Sequence, residues 1–150
     1  MRKLLLATFV CLVSATSFAR EGVTTVVVSR DTIFYNHQMK VVSDRDEAAY
    51  YRLLAKETYK GKERDIFQDF YPSGQKRLEG GYAFLDLGND ANTVLDGHVT
   101  AYYPTGKEKW HCNYRNGKRD GYLTLNLRDG SVGVVAYAAG QVRLDRKSVV

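Results

Sequence analysis

Four copies of a Tyr-x-x-Gly tetrad punctuate this chain, at Tyr71-Pro72-Ser73-Gly74, Tyr103-Pro104-Thr105-Gly106, Tyr114-Arg115-Asn116-Gly117 and Tyr137-Ala138-Ala139-Gly140. A fifth, Leu127-Arg128-Asp129-Gly130, carries leucine in place of the tyrosine. The pairs Asp96-Gly97 and Asp120-Gly121 lie 24 residues apart, and so do Gly106 and Gly130. A recurrence of this period means stacked supersecondary units, none of which buries its apolar face alone. It constrains architecture far more than chemistry.

From residue 96 onward the spacing predicts a β-meander. His98–Tyr103 is a strand turned by Pro104-Thr105-Gly106, with proline at the second turn position and a positive-φ glycine at the fourth. Lys107–Tyr114 returns, and Asn116-Gly117 marks a tight hairpin turn. After Asp120-Gly121, the segment Tyr122–Leu127 alternates with its leucines on one face. Asp129-Gly130 leads into Ser131–Tyr137, where Val132, Val134 and Ala136 share a face. An earlier hairpin, Ile66–Tyr71 and Gln75–Phe84, matches this block beyond its turn, since Tyr82 follows Gly74 by eight residues and Tyr114 follows Gly106 by eight. Between the two, the polar insertion 86–96 reads as a plain surface loop. Its Asp and Asn residues lack the 1-3-5-12 ligand spacing and terminal glutamate of a calcium loop. In the N-terminal third, Val23–Val28 and Thr32–Tyr35 are rich in β-formers. Ser43-Asp44-Arg45-Asp46 opens a helical turn over residues 44–49, followed by a strand from Tyr50 to about Thr58.

The ends read differently. Met1-Arg2-Lys3 is a basic head, Leu4 to Val13 an apolar run of ten, and Ser17 and Ala19 occupy the −3 and −1 positions of a cut before Arg20. A bilayer span needs about 20 apolar residues, so the segment reads as a signal peptide rather than an anchor. The chain then divides into a leader 1–19, an N-terminal β segment 20–65, a repeat sheet 66–142 and a charged tail 143–150. Residues 20–96 carry 11 Lys and Arg against 13 Asp and Glu, a net −2, whereas residues 97–150 carry 9 against 4, a net +5. The basic half favours anionic partners or surfaces, and export argues against nucleic acid. Without the leader, Cys112 is the one cysteine left, so no disulfide forms within a chain; it reads as a half-buried strand residue or an intermolecular bridge.

The string Asp96-Gly97…Tyr103-Pro104-Thr105-Gly106-Lys107…Tyr114-Arg115-Asn116-Gly117-Lys118-Arg119-Asp120-Gly121 resembles the MORN-type repeat, in the bacterial variant of YwqK-family "antitoxin" proteins. Asp31–Tyr35 and Ala48–Arg52 resemble the region preceding the repeats in exported members, so the resemblance covers roughly residues 31–141. It implies an elongated, single-layer antiparallel sheet of consecutive hairpins. It also implies a part in protein scaffolding or membrane-surface association, and no assigned catalytic residues. The insertion 86–96 and the weak last turn at Ala138-Ala139 depart from the pattern, pointing to a short array with atypical ends.

Catalytic motifs are not found. No Gly-x-Ser-x-Gly, His-Glu-x-x-His or phosphate-binding glycine loop occurs, so the chain is expected to be non-catalytic and without cofactor. If the loop after Tyr103 holds two residues, His98 faces His111; if Gly106 forms a bulge, His98 faces Cys112. Two ligands do not make a metal site, and solvent-facing histidines are the expectation. The pre-turn tyrosines Tyr71, Tyr103, Tyr114 and Tyr137 are expected to hold the stack. Because one face of a single-layer sheet stays open, the candidate binding residues are Tyr102, Lys107, Lys109, Trp110, Arg115, Lys118, Arg119 and Tyr122. The expected partner is an envelope protein or, failing that, anionic lipid or polysaccharide contacted peripherally. The uncovered outer strands also allow a homodimer by edge pairing.

Overall fold

The computed structural model describes residues 22–144; residues 1–21 and 145–150, which include the expected leader and most of the charged tail, lie outside them. The described chain is one elongated antiparallel sheet with minimal helix. Its strands are β1 (Val23–Val27), β2 (Ile33–Tyr35), β3 (Val41–Val42), β4 (Tyr50–Tyr59), β5 (Lys62–Phe70), β6 (Lys76–Phe84), β7 (Val94–Tyr102), β8 (Glu108–Arg115), β9 (Lys118–Arg119), β10 (Gly121–Asn126), β11 (Val132–Ala138) and β12 (Gln141–Val142). The order across the sheet is β12-β11-β10-β8-β7-β6-β5-β4-β2-β3, with β9 beside β8. β4 serves two partners along one edge, β2 on its first half and β1 on its second. The expected helical turn is a 3-10 turn, Arg45–Glu47, whose first turn is capped by the Asp44 carboxylate accepting from Asp46 N at 2.9 Å.

The tetrads fall into two geometric classes at opposite ends of the sheet. At the upper end, Tyr71, Tyr103 and Leu127 each donate their N–H to the carbonyl four residues on, of Gln75, Lys107 and Ser131, at 2.8–2.9 Å. Gly74, Gly106 and Gly130 close these three-residue turns at φ near +88°, where a Cβ is disfavoured. At the lower end the turns hold two residues, Lys60-Gly61, Asn116-Gly117 and Ala139-Gly140, all at positive φ. Tyr114 and Tyr137 precede turns of this second class, so one sequence tetrad encodes two hairpin geometries.

The β7–β8 register differs from both expected pairings. His98 faces Asn113 and His111 faces Thr100, because a further irregularity between Ala101 and Tyr102 adds a shift to the one at Gly106. Cys112 is fully buried opposite Val99 rather than half-buried, and burial pushes its thiol above the ordinary range. β7 begins at Val94, so the insertion is shorter than expected.

It is also not a plain surface loop. Residues 85–93 stand where the meander has a lower-end turn, and they fold across the sheet to the β2–β3 hairpin. Val41 N donates to Gly88 O at 3.1 Å, Asp90 N to Met39 O at 2.8 Å, and Lys40 bridges Asn89. Asp86 organises the loop from within, accepting from Gly88 N, Asn89 N and Asn92 Nδ2. Beneath this lid Arg52, 1 % exposed, makes a bidentate pair with the fully buried Asp69 at 2.6 and 2.8 Å. Its Nη1 donates to Asp90 Oδ1 at 2.6 Å, and Tyr50 donates to the other Asp90 oxygen at 2.6 Å. The Tyr35 hydroxyl reaches Leu87 O at 3.1 Å, and the guanidinium lies 4.2 Å from the Phe67 ring centroid. Burial pushes the Tyr35 phenol up to about 12, and burial with the Asp90 contact pushes Tyr50 higher still, so both remain donors.

A buried guanidinium is tolerable when carboxylates pair with it in good geometry, and removing one partner of such a pair costs about 3–5 kcal/mol. Asp90→Ala is therefore expected to lower the unfolding free energy by about 3 kcal/mol. Asp65→Ala, which breaks an exposed pair with Lys56, is expected to leave the unfolding midpoint almost unchanged. Urea unfolding of the two variants checks the contrast.

Candidate recognition cleft

Each upper-end tyrosine ties its hairpin to the next. The Tyr71 hydroxyl donates to Tyr102 O at 2.8 Å, and the Tyr103 hydroxyl donates to Asn126 O at 3.0 Å. In both cases the acceptor is the residue just before the following upper-end turn. The series stops at Leu127, which has no hydroxyl to donate. At the lower end one cation does comparable work: Arg119 donates Nε to Tyr114 at 3.3 Å and Nη1 to Tyr137 at 3.2 Å, with its guanidinium 5.3 Å from the Tyr137 ring centroid. The four pre-turn tyrosines thus tie neighbouring strands through their hydroxyls, not through the packing on the next hairpin's glycine that a stacked repeat suggests.

Between successive upper-end turns the filling differs. Gln75 packs against Gly106 at about 3.1 Å from where a Cβ would sit, closing the gap between the first two turns. Between the second and third turns a cleft of about 780 Å³ stays open, lined by Tyr103, Pro104, Lys107, Leu127 and Arg128 among others. Lys109 Nζ lies 5.6 Å from the Tyr103 ring centroid and the Arg128 guanidinium 5.4 Å from it, within cation–π range. Glu108 borders the cleft, but its carboxylate accepts from Asn126 Nδ2 and contacts His111 Nδ1. The site thus offers two cations on a fixed aromatic ring, a third cation at Lys107, and apolar surface from Pro104 and the exposed Leu127.

The sequence-derived candidates separate on the sheet. Lys107 lines the cleft, and Lys109 approaches the ring of Tyr103, which also lines it. Trp110 is half-buried between Ala101 and Leu125 on the face that holds Cys112. Tyr102 is half-buried, with its hydroxyl on Glu79 Oε1 at 2.8 Å; Lys76, close to that carboxylate, helps hold it below the usual range against the effect of burial. Arg115 and Lys118 flank the lower-end turn of β8, and Arg115 pairs with Asp120 at 2.8 Å while remaining 81 % exposed. Arg119 is committed to the tyrosine clamp. Tyr122, 69 % exposed, stands on the opposite face from Leu123, opposite Ala136. An eight-residue strand is about 27 Å long, so the lower-end cations and the cleft are separate surfaces.

Sequence reasoning missed Arg128, Leu127 and the place of the Tyr103 ring in the cleft lining. The available signal was the fifth tetrad, where leucine replaces tyrosine and the tie to a next hairpin ends. His98 and His111 lie with ring centroids 5.5 Å apart; His98 contacts Asn113 and Thr100, and His111 contacts Glu108. No group of three His, Cys, Asp or Glu among the described residues is placed to hold a metal ion. Comparisons with protein-family models, with curated proteins and with solved structures returned no match.

Tyr103→Phe removes one part-buried hydrogen bond and leaves the Asn126 carbonyl without that donor, so a loss of about 1 kcal/mol is expected. Arg128→Gln changes an exposed side chain and loses only its cation–π approach to the Tyr103 ring, so it is expected to stay within about 0.5 kcal/mol of the parent. Thermal unfolding followed by circular dichroism distinguishes them.

Proposed function

We propose that this chain is an exported, non-catalytic binding module of MORN-like β-hairpin repeats that engages a protein partner at the upper-end cleft. One observation carries the reading: the Tyr103 ring, pinned by its hydroxyl, lies within cation–π range of both Lys109 and Arg128 in a cleft that the apolar Leu127 also lines. A rigid aromatic with fixed cations suits a partner segment that places a carboxylate next to an apolar side chain. The three upper-end turns with one hydrogen-bond pattern, and the tyrosine ties between them, support the repeat reading. The clustering of Lys107, Lys109 and Arg128 favours a second reading, in which the same cleft holds an anionic headgroup or polysaccharide at an envelope surface. In either case binding weakens as salt rises.

A photo-crosslinking side chain placed at Leu127, and separately at Tyr122 as a control, tests this in cells. The expected result is one discrete protein adduct from Leu127 that is absent from Tyr122 and is lost when Lys109 and Arg128 are both changed to Gln. Adducts of equal yield and identity from both positions would overturn the cleft as the site. Lipid or glycan adducts from Leu127 alone would replace the first reading by the second.

A further inference from the structure

The two terminal edges of the sheet share an unusual property. Both β1 (Val-Thr-Thr-Val-Val) and β11 (Val-Gly-Val-Val-Ala-Tyr-Ala) are free of charged residues and proline, whereas β5 alone carries five charges. Open edges normally bear such residues as a guard against pairing with another chain. In an extended strand the N–H and C=O of one residue point to the same side and alternate along the chain. Val28 N donates to Leu54 O, which turns the backbone of Val23, Thr25 and Val27 away from β4. Arg143 N donates to Ala136 O, which turns Val132 and Val134 outward in the same way, beyond the two residues of β12. The side chains of Val26, Val132 and Val134 are all more than half exposed.

Geometry and charge then select how these edges meet. From β1 to β11 the sheet passes through eight strands, each antiparallel to the last: β1, β4, β5, β6, β7, β8, β10 and β11. An even number of alternating strands leaves β1 and β11 pointing in opposite directions. A second copy in the same orientation therefore presents its β1 antiparallel to β11, and the pattern continues unbroken. Thr25 opposite Val134 and Val27 opposite Val132 would bring outward backbone groups together and pair β-branched side chains. The described residues 22–96 carry 10 Lys and Arg against 12 Asp and Glu, a net −2, and residues 97–144 carry 7 against 3, a net +4. Joining β11 to β11 places two positive halves side by side; joining β11 to β1 places opposite charges together.

We propose that copies of this chain assemble head to tail, with β11 of one extended by β1 of the next. Such a contact is heterologous, so it propagates into an open row unless capped. It uses neither Tyr103, Lys109 nor Arg128 and stands independently of the cleft's partner. Sedimentation velocity on the protein and on Val27→Lys and Val134→Lys tests it, both changes falling on exposed edge positions. The parent is expected to form species larger than a dimer as concentration rises. Each variant alone is expected to be a monomer, and an equimolar mixture to form a one-to-one dimer and nothing larger, because each supplies the edge the other lacks. That recovery on mixing also shows that both variants are folded. A parent that stays monomeric up to its solubility limit, a V27K that still dimerises alone, or a mixture that remains monomeric would each overturn the proposal.

Discussion

Arg52 sits where water cannot reach it, and its environment follows from that fact. A guanidinium has five donors in a fixed plane, and each left unmet in a buried site is costly. Asp69 meets two of them from the neighbouring strand in a fork that β4–β5 pairing supplies directly, since the two residues face each other in register. Asp90 meets a third, and it has to be carried there by a loop that leaves β6, crosses β5 and β4, and anchors on β3. The loop gives this end of the sheet a partial second layer, with Tyr35, Tyr50 and Phe67 packed around the cation. Without it, these aromatics would face solvent on an open sheet.

Away from the lid, hairpin-to-hairpin ties substitute for a second layer. Upper-end tyrosines reach the next hairpin's carbonyl, while Arg119 gathers two lower-end tyrosines on one guanidinium. Close backbone approach contributes as well: a Cβ on Gly81 would stand 2.2 Å from Asp96 O, so the β6–β7 junction accepts no side chain there. The two ends therefore differ in character. The lower end is clamped, and the upper end offers a half-buried ring held by its hydroxyl, with Lys109 and Arg128 within cation–π range of it. Rigidity of that kind is what a recognition surface requires, because little ordering remains to be done on binding.

Much of this was legible in the chain. Glycines at the ends of tetrads marked every upper-end turn, and alternation over Tyr122–Leu127 placed Leu123 in the buried set. The helical turn near Arg45–Glu47 was signalled by the Ser43–Asp46 box, although Asp44 rather than Ser43 supplies the cap, and the strand from Tyr50 by the β character of every later element. What escaped was set by contacts distant in sequence. Asp90 lies in a polar stretch whose local pattern says loop, and only its partner 38 residues earlier gives it a role. The β7–β8 register escaped for a different reason. Two irregularities add along one hairpin, and the second, at Ala101–Tyr102, has no glycine to announce it. Arg119 looked like one of several surface cations, and its commitment to Tyr114 and Tyr137 depends on two turns meeting at one end.

Amide hydrogen exchange of the protein in native buffer addresses the dependence on the ionic core most directly. Exchange free energies rise toward the global value in the units that open last. If the lid and its ion network hold the sheet, the slowest amides should belong to β4 and β5, with Val41 and Asp90, whose N–H groups bond across the lid, protected well above the upper-end turns. Val41 and Asp90 exchanging as fast as Gly106 and Gly130, with the slowest amides confined to β8 and β10, would contradict it.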